Sequence, residues 1–522
     1  MMIRNFTTNR TPEQDVLYKF YAKRLESYHN TKEPAQEKEL FFFQSEILKN
    51  TVDFLNEYHY CILNLDTGLG KTFLSISLIN QCYINEEKNN PILVIAPANN
   101  IIDPWEKEIY EFNQFEDKKL KVYKYHGVDK ENLCNDNLLQ VIGYDVILTS
   151  YQTLVSKNCN MFFKETNFPL VIFDEPQKII NQSSANISLR SLSHIKCDYR
   201  IALTASPLSN STKELYILET FIKNPKFLEE AYDFIAKNEI DSIKEECRSF
   251  IPIISESKFS SKIQKEINLP NLIQYKFLLP VPEIVISKLA ENKSFPQKSK
   301  LLTCQSLYGF KDENVFFDSK IKVLKLILEK IPDYEKVIVF SLYTEELNYI
   351  YSELCCMKYM CLKTIGQMTT KARETSIRNF KEYKKKAIML ASIKANETGL
   401  NYQEANNIIF LDSWYNPQVI KQARDRCFRI GQKKTVKVFY LSTNTDFENN
   451  VWKTENQKLK EKKELLNWEM ESPPQEIDYS NDTEYLKNIK IFLDIVYTED
   501  SEVKSSSEEI SDDEFSVGEP LF

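Results

Sequence analysis

Two long blocks of this sequence alternate short apolar runs with amphipathic stretches, and that alternation restricts the chain to parallel sheets wrapped by helices. In the first block, Leu40 to about Pro225, the predicted strands are Cys61–Leu65, Ile92–Ile95, Val122–Tyr125, Val146–Thr149, Leu170–Phe173 and Arg200–Leu203. Helical stretches such as Thr72–Tyr83 and Trp105–Phe112 lie between them. The second block, Ser319 to about Leu441, repeats the pattern with Val337–Phe340, Tyr359–Leu362, Ala387–Leu390, Ile408–Leu411 and Val436–Leu441. An α/β chain of two tandem lobes is the expectation.

The blocks set the predicted organisation: a lead-in over 1–39, a first lobe over 40–225, and a short, mostly helical insertion over 226–318. A second lobe follows over 319–470, carrying the charged helix Glu448–Asn467 as a brace, then an extension over 471–498. Residues 499–522 hold nine acidic side chains against Lys504. That tail is too charged to bury and is expected to be disordered. It carries the whole formal net charge of −8, so the body is neutral and a local basic groove stays compatible with the composition.

Other classes are disfavoured. No apolar run approaches the roughly 20 residues of a membrane span, and Met1–Arg10 lacks a hydrophobic signal segment, so an intracellular protein without membrane partners is expected. Eleven cysteines include no Cys-x-x-Cys pair and there are four histidines, which speaks for reduced thiols rather than structural zinc.

Local chemistry then narrows the reading. Leu65-Asp66-Thr67-Gly68-Leu69-Gly70-Lys71-Thr72 follows an apolar strand and opens a helix. Backbone N–H groups of such a turn converge on phosphate oxygens, assisted by the helix N-terminus. Gly68 and Gly70 permit the turn, Lys71 would reach the β/γ-phosphates of ATP, and Thr72 would ligate Mg²⁺. Leu170–Phe173 ends in Asp174-Glu175-Pro176-Gln177, placing two acids at the end of a buried strand. Asp174 would hold Mg²⁺ through water and Glu175 would orient or activate the attacking water. Downstream, Gln422 to Gln432 sets Arg426 and Arg429 three apart.

Together these pieces resemble a superfamily-two helicase-like ATPase, and more narrowly the SWI/SNF-type branch of double-stranded DNA translocases. The resemblance runs from about residue 40 to 465. Carrying it are Pro91–Pro97 with Trp105–Ile109, Tyr144–Tyr151, Leu203–Asn210, Ala391–Asn401, Asp412–Pro417 and Gln422–Gln432. It implies two RecA-like lobes, with Gln44 at the adenine-reading position and Gln177, Gly399 and Gln422 on the nucleotide. It implies further that Arg426 and Arg429 contact the ATP phosphates across a cleft. Size and composition (nine glycines in 522 residues, with abundant Asn, Lys and Ile) look most like the global transactivator proteins of baculoviruses. Three positions depart from the family pattern. Gln177 stands where His is usual, Asn396-Glu397 replace two glycines, and the paired arginines of the insertion are not evident near Arg248 to Ile254.

The implied function is an ATP- and Mg²⁺-dependent motor tracking along duplex DNA without separating strands. It would act in the nucleus in transcription or chromatin access, with nucleosomes or transcription proteins as further partners. Two rivals stay open: a strand-separating DNA or RNA helicase, and a degenerate motor kept as a scaffold.

Overall fold

The fold is built on two seven-stranded sheets, all of whose ladders are parallel. This computed structural model describes residues 40–508, with internal gaps that include 83–89, 98–101, 113–119, 126–142, 181–188, 256–262, 304–310 and 394–400. The lead-in 1–39 and residues 509–522 lie outside the described residues. The described chain divides into two compact units. One runs up to Asn268 and takes in Lys458–Met470; the other is Leu269–Gln457 with the residues from Glu471 on.

The first unit has strands β1 (Tyr60–Asn64), β2 (Ile92–Ala96), β3 (Val122–Tyr125), β4 (Val146–Ser150), β5 (Asn167–Asp174), β6 (Lys196–Thr204) and β7 (Ile253–Ser255), in the order β3-β4-β2-β5-β6-β1-β7. Successive residues serve opposite layers. Tyr60 and Ile62 of β1 join one core with Val171 and Phe173 of β5, while Cys61 and Leu63 join the other with Leu170 and Ile172. Burial on both faces explains why these strands read as unbroken apolar runs. The register pairs Asn64 with Thr204 and Asp174 with Leu203, so β1, β6 and β5 end level at the carboxyl edge.

The second unit repeats the plan with β8 (Leu272–Leu279), β11 (Val337–Ser341), β12 (Met360–Thr364), β13 (Ala387–Ser392), β14 (Asn407–Phe410), β15 (Val436–Thr443) and β16 (Gln475–Asp478), in the order β12-β13-β11-β14-β15-β8-β16. A two-stranded hairpin, β9 (Lys311–Asp312) with β10 (Val315–Phe316), stands apart from it. Lys320 and Glu448, 1% and 3% exposed, form an ion pair at 3.2 Å, and the Lys320 ammonium also donates to Leu411 O at 2.8 Å.

Three elements were not legible as apolar runs. The stretch 226–318, expected to be an insertion, contributes β7 to the first sheet and β8 to the second. Gln274 and Lys276 interrupt the hydrophobic pattern of β8. The fold absorbs both: Lys276 sits 4.4 Å over the Trp452 ring and pairs with Glu476 at 2.7 Å, while Gln274 accepts from Tyr440 Oη at 2.9 Å. Glu476 belongs to β16, the third element, which extends the sheet beyond β8.

The helix Tyr485–Glu508 continues into the acidic stretch that opens at 499, and residues 509–522 lie outside the described residues. Ile489, Leu493 and Val496, at helical spacing, bury one face of the helix in the second unit's core. A helix nucleated by packing then propagates at one hydrogen bond per added residue.

Candidate nucleotide site

The loop after β1 and the acids after β5 flank the end of β6, the strand between them. Gly68 and Gly70 have φ of +92° and +85°, a region that only glycine enters without strain. A Cβ at Gly70 would lie 2.5 Å from Gln44 Nε2, so the buried glutamine packs directly against the loop. Gln44 Nε2 donates to Leu69 O at 2.9 Å, and its Oε1 accepts from Phe41 N at 3.1 Å. Both ends of this expected base-reading side chain are thus engaged within the chain. Gly70→Ala is expected to weaken nucleotide binding at least tenfold by fluorescent-nucleotide titration. The clash and a left-handed cost of roughly 1–2 kcal/mol fall on the same backbone.

Lys71 and Thr72 begin the helix Lys71–Cys82, and Lys71 Nζ donates to Leu65 O at 2.7 Å. Asp66, Gly68 and Leu69 complete the described part of the loop, where Leu69 N donates to Asp66 O at 3.4 Å. Thr67 lies outside the described residues, as do Ser206 within Leu203–Asn210 and Gly399 with Asn396-Glu397.

Asp174 is held from two sides. Trp105 Nε1 donates to its Oδ2 at 3.0 Å, and Tyr151 Oη donates to its backbone carbonyl at 3.0 Å. Its carboxyl is pushed up to about 6, first by burial and then by the neighbouring Glu175; the Trp105 bond and the Lys71 and Lys178 charges pull the other way. Raised in this sense, the group stabilises the fold most below pH ~4, and that contribution disappears as pH rises through about 6. Asp174→Asn should therefore raise the melting temperature of the nucleotide-free protein at pH 7–8. The gain is on the order of 1–3 kcal/mol and vanishes below pH ~4 in calorimetry.

Glu175 has a φ of +49°, strained for a side-chain-bearing residue, and its N–H donates to Leu203 O at 2.8 Å. Gln177 Nε2 donates to Glu175 Oε2, while the Gln177 Oε1, in a residue 4% exposed, has no hydrogen-bond partner among the described residues. The glutamine thus does one job that an imidazole N–H could do, donating to Glu175. It leaves an acceptor where a histidine would carry a second ring nitrogen.

The donor set fits Mg²⁺, which takes one or two carboxylates with a hydroxyl and substrate phosphate oxygens. Thr72 and Asp174 are the residues that would hold it.

Sequence reasoning placed Trp105 and Tyr151 within motifs but gave neither a role at the site. Trp105, 2% exposed, shares the buried side of the amphipathic helix Ile102–Phe112 with Ile102 and Ile109; a buried indole needs an acceptor, and that was the available signal.

In the second unit, Asp412 follows β14 at the carboxyl edge, 3% exposed, and its Oδ2 accepts from Leu342 N at 2.6 Å. The helix Pro417–Arg424, capped by Asn416, then carries the chain back toward the amino edge. Gln422 lies on this helix, half-buried. Arg424 and Lys421 are spent on Asp425, at 2.8 and 3.1 Å. Arg426 and Arg429 follow, both half-buried, on either side of buried Cys427. Arg426 O accepts from Tyr402 N at 2.9 Å, and Gln432 Nε2 donates to the carbonyls of Gln403, Ala405 and Cys427 at 2.8–3.2 Å. Gln432 is thus a structural pin. Within this unit the two arginines share one pinned turn, at the opposite end of a helix from Asp412.

A parallel-sheet unit with this loop and acid pair is thus followed along the chain by a second such unit with a pinned arginine turn. Residues 42–326 match the SNF2-related domain and residues 319–431 the helicase conserved C-terminal domain, and the chain belongs to the SNF2-related family. It is 28% identical over 429 residues to an uncharacterized ATP-dependent helicase of Mycoplasma genitalium, covering 78% of this chain and 40% of that protein. To a probable chromatin-remodeling complex ATPase chain of Oryza sativa it is 26% identical, covering 75% and 37%. With the ATP-dependent DNA helicase DDM1 of Arabidopsis thaliana the identity is 28%, covering 76% and 58%. The chain spans about two fifths of the length of the first two. Among solved structures, the SWI2/SNF2 ATPase core of Sulfolobus solfataricus is similar at 21% identity, covering 82% of this chain and 98% of that one, with a TM-score of 0.39.

Proposed function

We propose that this chain hydrolyses ATP with Mg²⁺ and uses the energy to track along duplex DNA without separating its strands. The observation that carries the reading is the convergence of the Gly68–Gly70 turn, Lys71 and the clamped Asp174-Glu175 pair at one sheet edge. Backbone N–H groups and Lys71 cradle the phosphates, and Lys71 must leave Leu65 O to do so. Mg²⁺, held by Thr72 and Asp174, would offset phosphate charge. Glu175 orients water for in-line attack, and Gln177 fixes the Glu175 carboxylate. Arg426 and Arg429 would neutralise charge on the transferred phosphoryl group.

Family membership and the chromatin-remodeling relatives support duplex DNA as partner, with nucleosomes, transcription proteins and a nuclear setting following from the same relatives. Grip on phosphates is sequence-independent, so target choice falls to partners. The narrower reading, a viral transactivator, has composition behind it; the relatives named above are bacterial and plant proteins.

The test is ATP turnover without nucleic acid and with duplex DNA, single-stranded DNA or RNA, with Lys71→Ala as the blank. Strong stimulation by duplex DNA, lost in the variant, is expected. Stimulation mainly by single strands or RNA would select the strand-separating reading, and no turnover anywhere the scaffold.

A further inference from the structure

The second sheet gathers lysines along its amino edge. β13, β11, β14 and β15 are consecutive neighbours, so the loops that precede them lie side by side, ~4.8 Å per strand. Three of those loops supply Lys384, Lys385 and Lys386, then Lys336, then Lys433 and Lys434; Lys381 joins from the end of the helix Thr370–Glu382. Lys384, Lys385 and Lys433 are exposed. The acids on this face are largely committed: Asp333 to Lys386 at 3.4 Å, Glu404 to Lys381 at 3.5 Å, and buried Glu335 to Asn407 Nδ2 at 2.8 Å, leaving Glu382 exposed. Burial lowers the Lys336 pKa; Glu404 opposes that shift, and Lys384, Lys434 and Lys381 add to it.

The C-terminal helix delivers the opposite charge to this place. It starts beyond β16 at the carboxyl edge, and Tyr497 lies at the amino edge. Its Oη donates to Asn407 Oδ1 at 2.8 Å, and Lys437 Nζ is 4.2 Å over its ring. Beyond Glu508 come fourteen residues with Glu509, Asp512, Asp513, Glu514 and Glu519 and no lysine or arginine. The helix carries the chain about 16 Å past Tyr497, and a tail of this length reaches back as far as ~48 Å.

We propose that residues 509–522 dock on the Lys336–Lys384–Lys385–Lys433–Lys434 face as a tethered polyanion that external polyanions must displace. A short tether sets an effective concentration in the millimolar range, enough to hold a weak site largely occupied. The proposal involves neither the ATP site nor any nucleotide, so it stands or falls separately from the proposed ATPase.

Zero-length carbodiimide cross-linking of the nucleotide-free full chain, mapped by mass spectrometry, tests it. Cross-links from Lys384, Lys385 or Lys433 to Asp512, Asp513 or Glu514 are expected, independent of protein concentration and lost at about 1 M salt. A chain ending at Glu508 should bind heparin roughly threefold to tenfold tighter at low salt, because the face is no longer mostly occupied. Combining K384E, K385E and K433E should abolish the cross-links and the gain from truncation. Cross-links scattered over other lysines, concentration-dependent cross-links between two copies, or unchanged heparin affinity on truncation would each overturn the proposal.

Discussion

Arg429→Ala is expected to lower the turnover number for ATP by about 10³–10⁵-fold while leaving nucleotide affinity within a few fold. A guanidinium acting on the transferred phosphoryl group works mainly where charge redistributes in the transition state, so its removal is felt in kcat more than in KM. Arg429 is half-buried on a turn that Gln432 pins. Gln432 ties that turn to three carbonyls, and Lys433 and Lys434 N–H groups donate to Gln432 Oε1, both at 3.0 Å. The variant should keep the melting temperature of the parent chain, which separates lost chemistry from lost folding. Gln432→Ala should do the reverse, lowering stability by roughly 1–3 kcal/mol through newly unpaired buried carbonyls. Steady-state kinetics beside thermal unfolding on both variants decides it, and an Arg429→Ala turnover within tenfold of the parent would remove the arginine from the mechanism.

Glu175→Gln carries the second largest expected effect, a fall of about 10²–10⁴ in turnover with ATP and Mg²⁺ still bound. The amide keeps the volume, and its Oε1 still accepts from Gln177, but it neither takes a proton nor holds water as a carboxylate does. Removing the charge also relieves Asp174, whose carboxyl is raised partly by Glu175. Nucleotide binding should therefore be equal or tighter, and the variant should accumulate bound ATP in single-turnover experiments. Gln177→His provides a comparison, since an imidazole restores a donor to Glu175 and a different partner set for the space beside Gln177 Oε1. A Glu175→Gln protein that turns over normally would sink the assignment of this acid.

Legibility followed distance along the chain. Gly68 to Thr72 and Asp174-Glu175 could be recognised because each motif is a handful of consecutive residues whose turn and strand are encoded locally. The Trp105–Asp174 bond spans 69 residues and Gln44–Leu69 spans 25, and nothing in either local sequence states the pairing. β8 was missed for a related reason. Lys276 looks wrong for a buried strand until Trp452 and Glu476 are folded against it. The arginine pair was legible as a motif, but its separation from Asp412 by the length of a helix was not.

By itself the sequence determined that its unbroken apolar runs become buried strands, where the phosphate loop turns and which acids end a strand, because hydrophobic periodicity, glycine and local hydrogen bonding act over a few residues. Tertiary structure alone decided the rest. It aligned β1, β6 and β5 so that the loop and acids meet. It brought Trp105 and Tyr151 onto Asp174, and it set lysines from separate loops on one sheet edge. Those outcomes depend on strand order and register, which are set by packing two apolar layers against each sheet rather than by any residue's immediate neighbours.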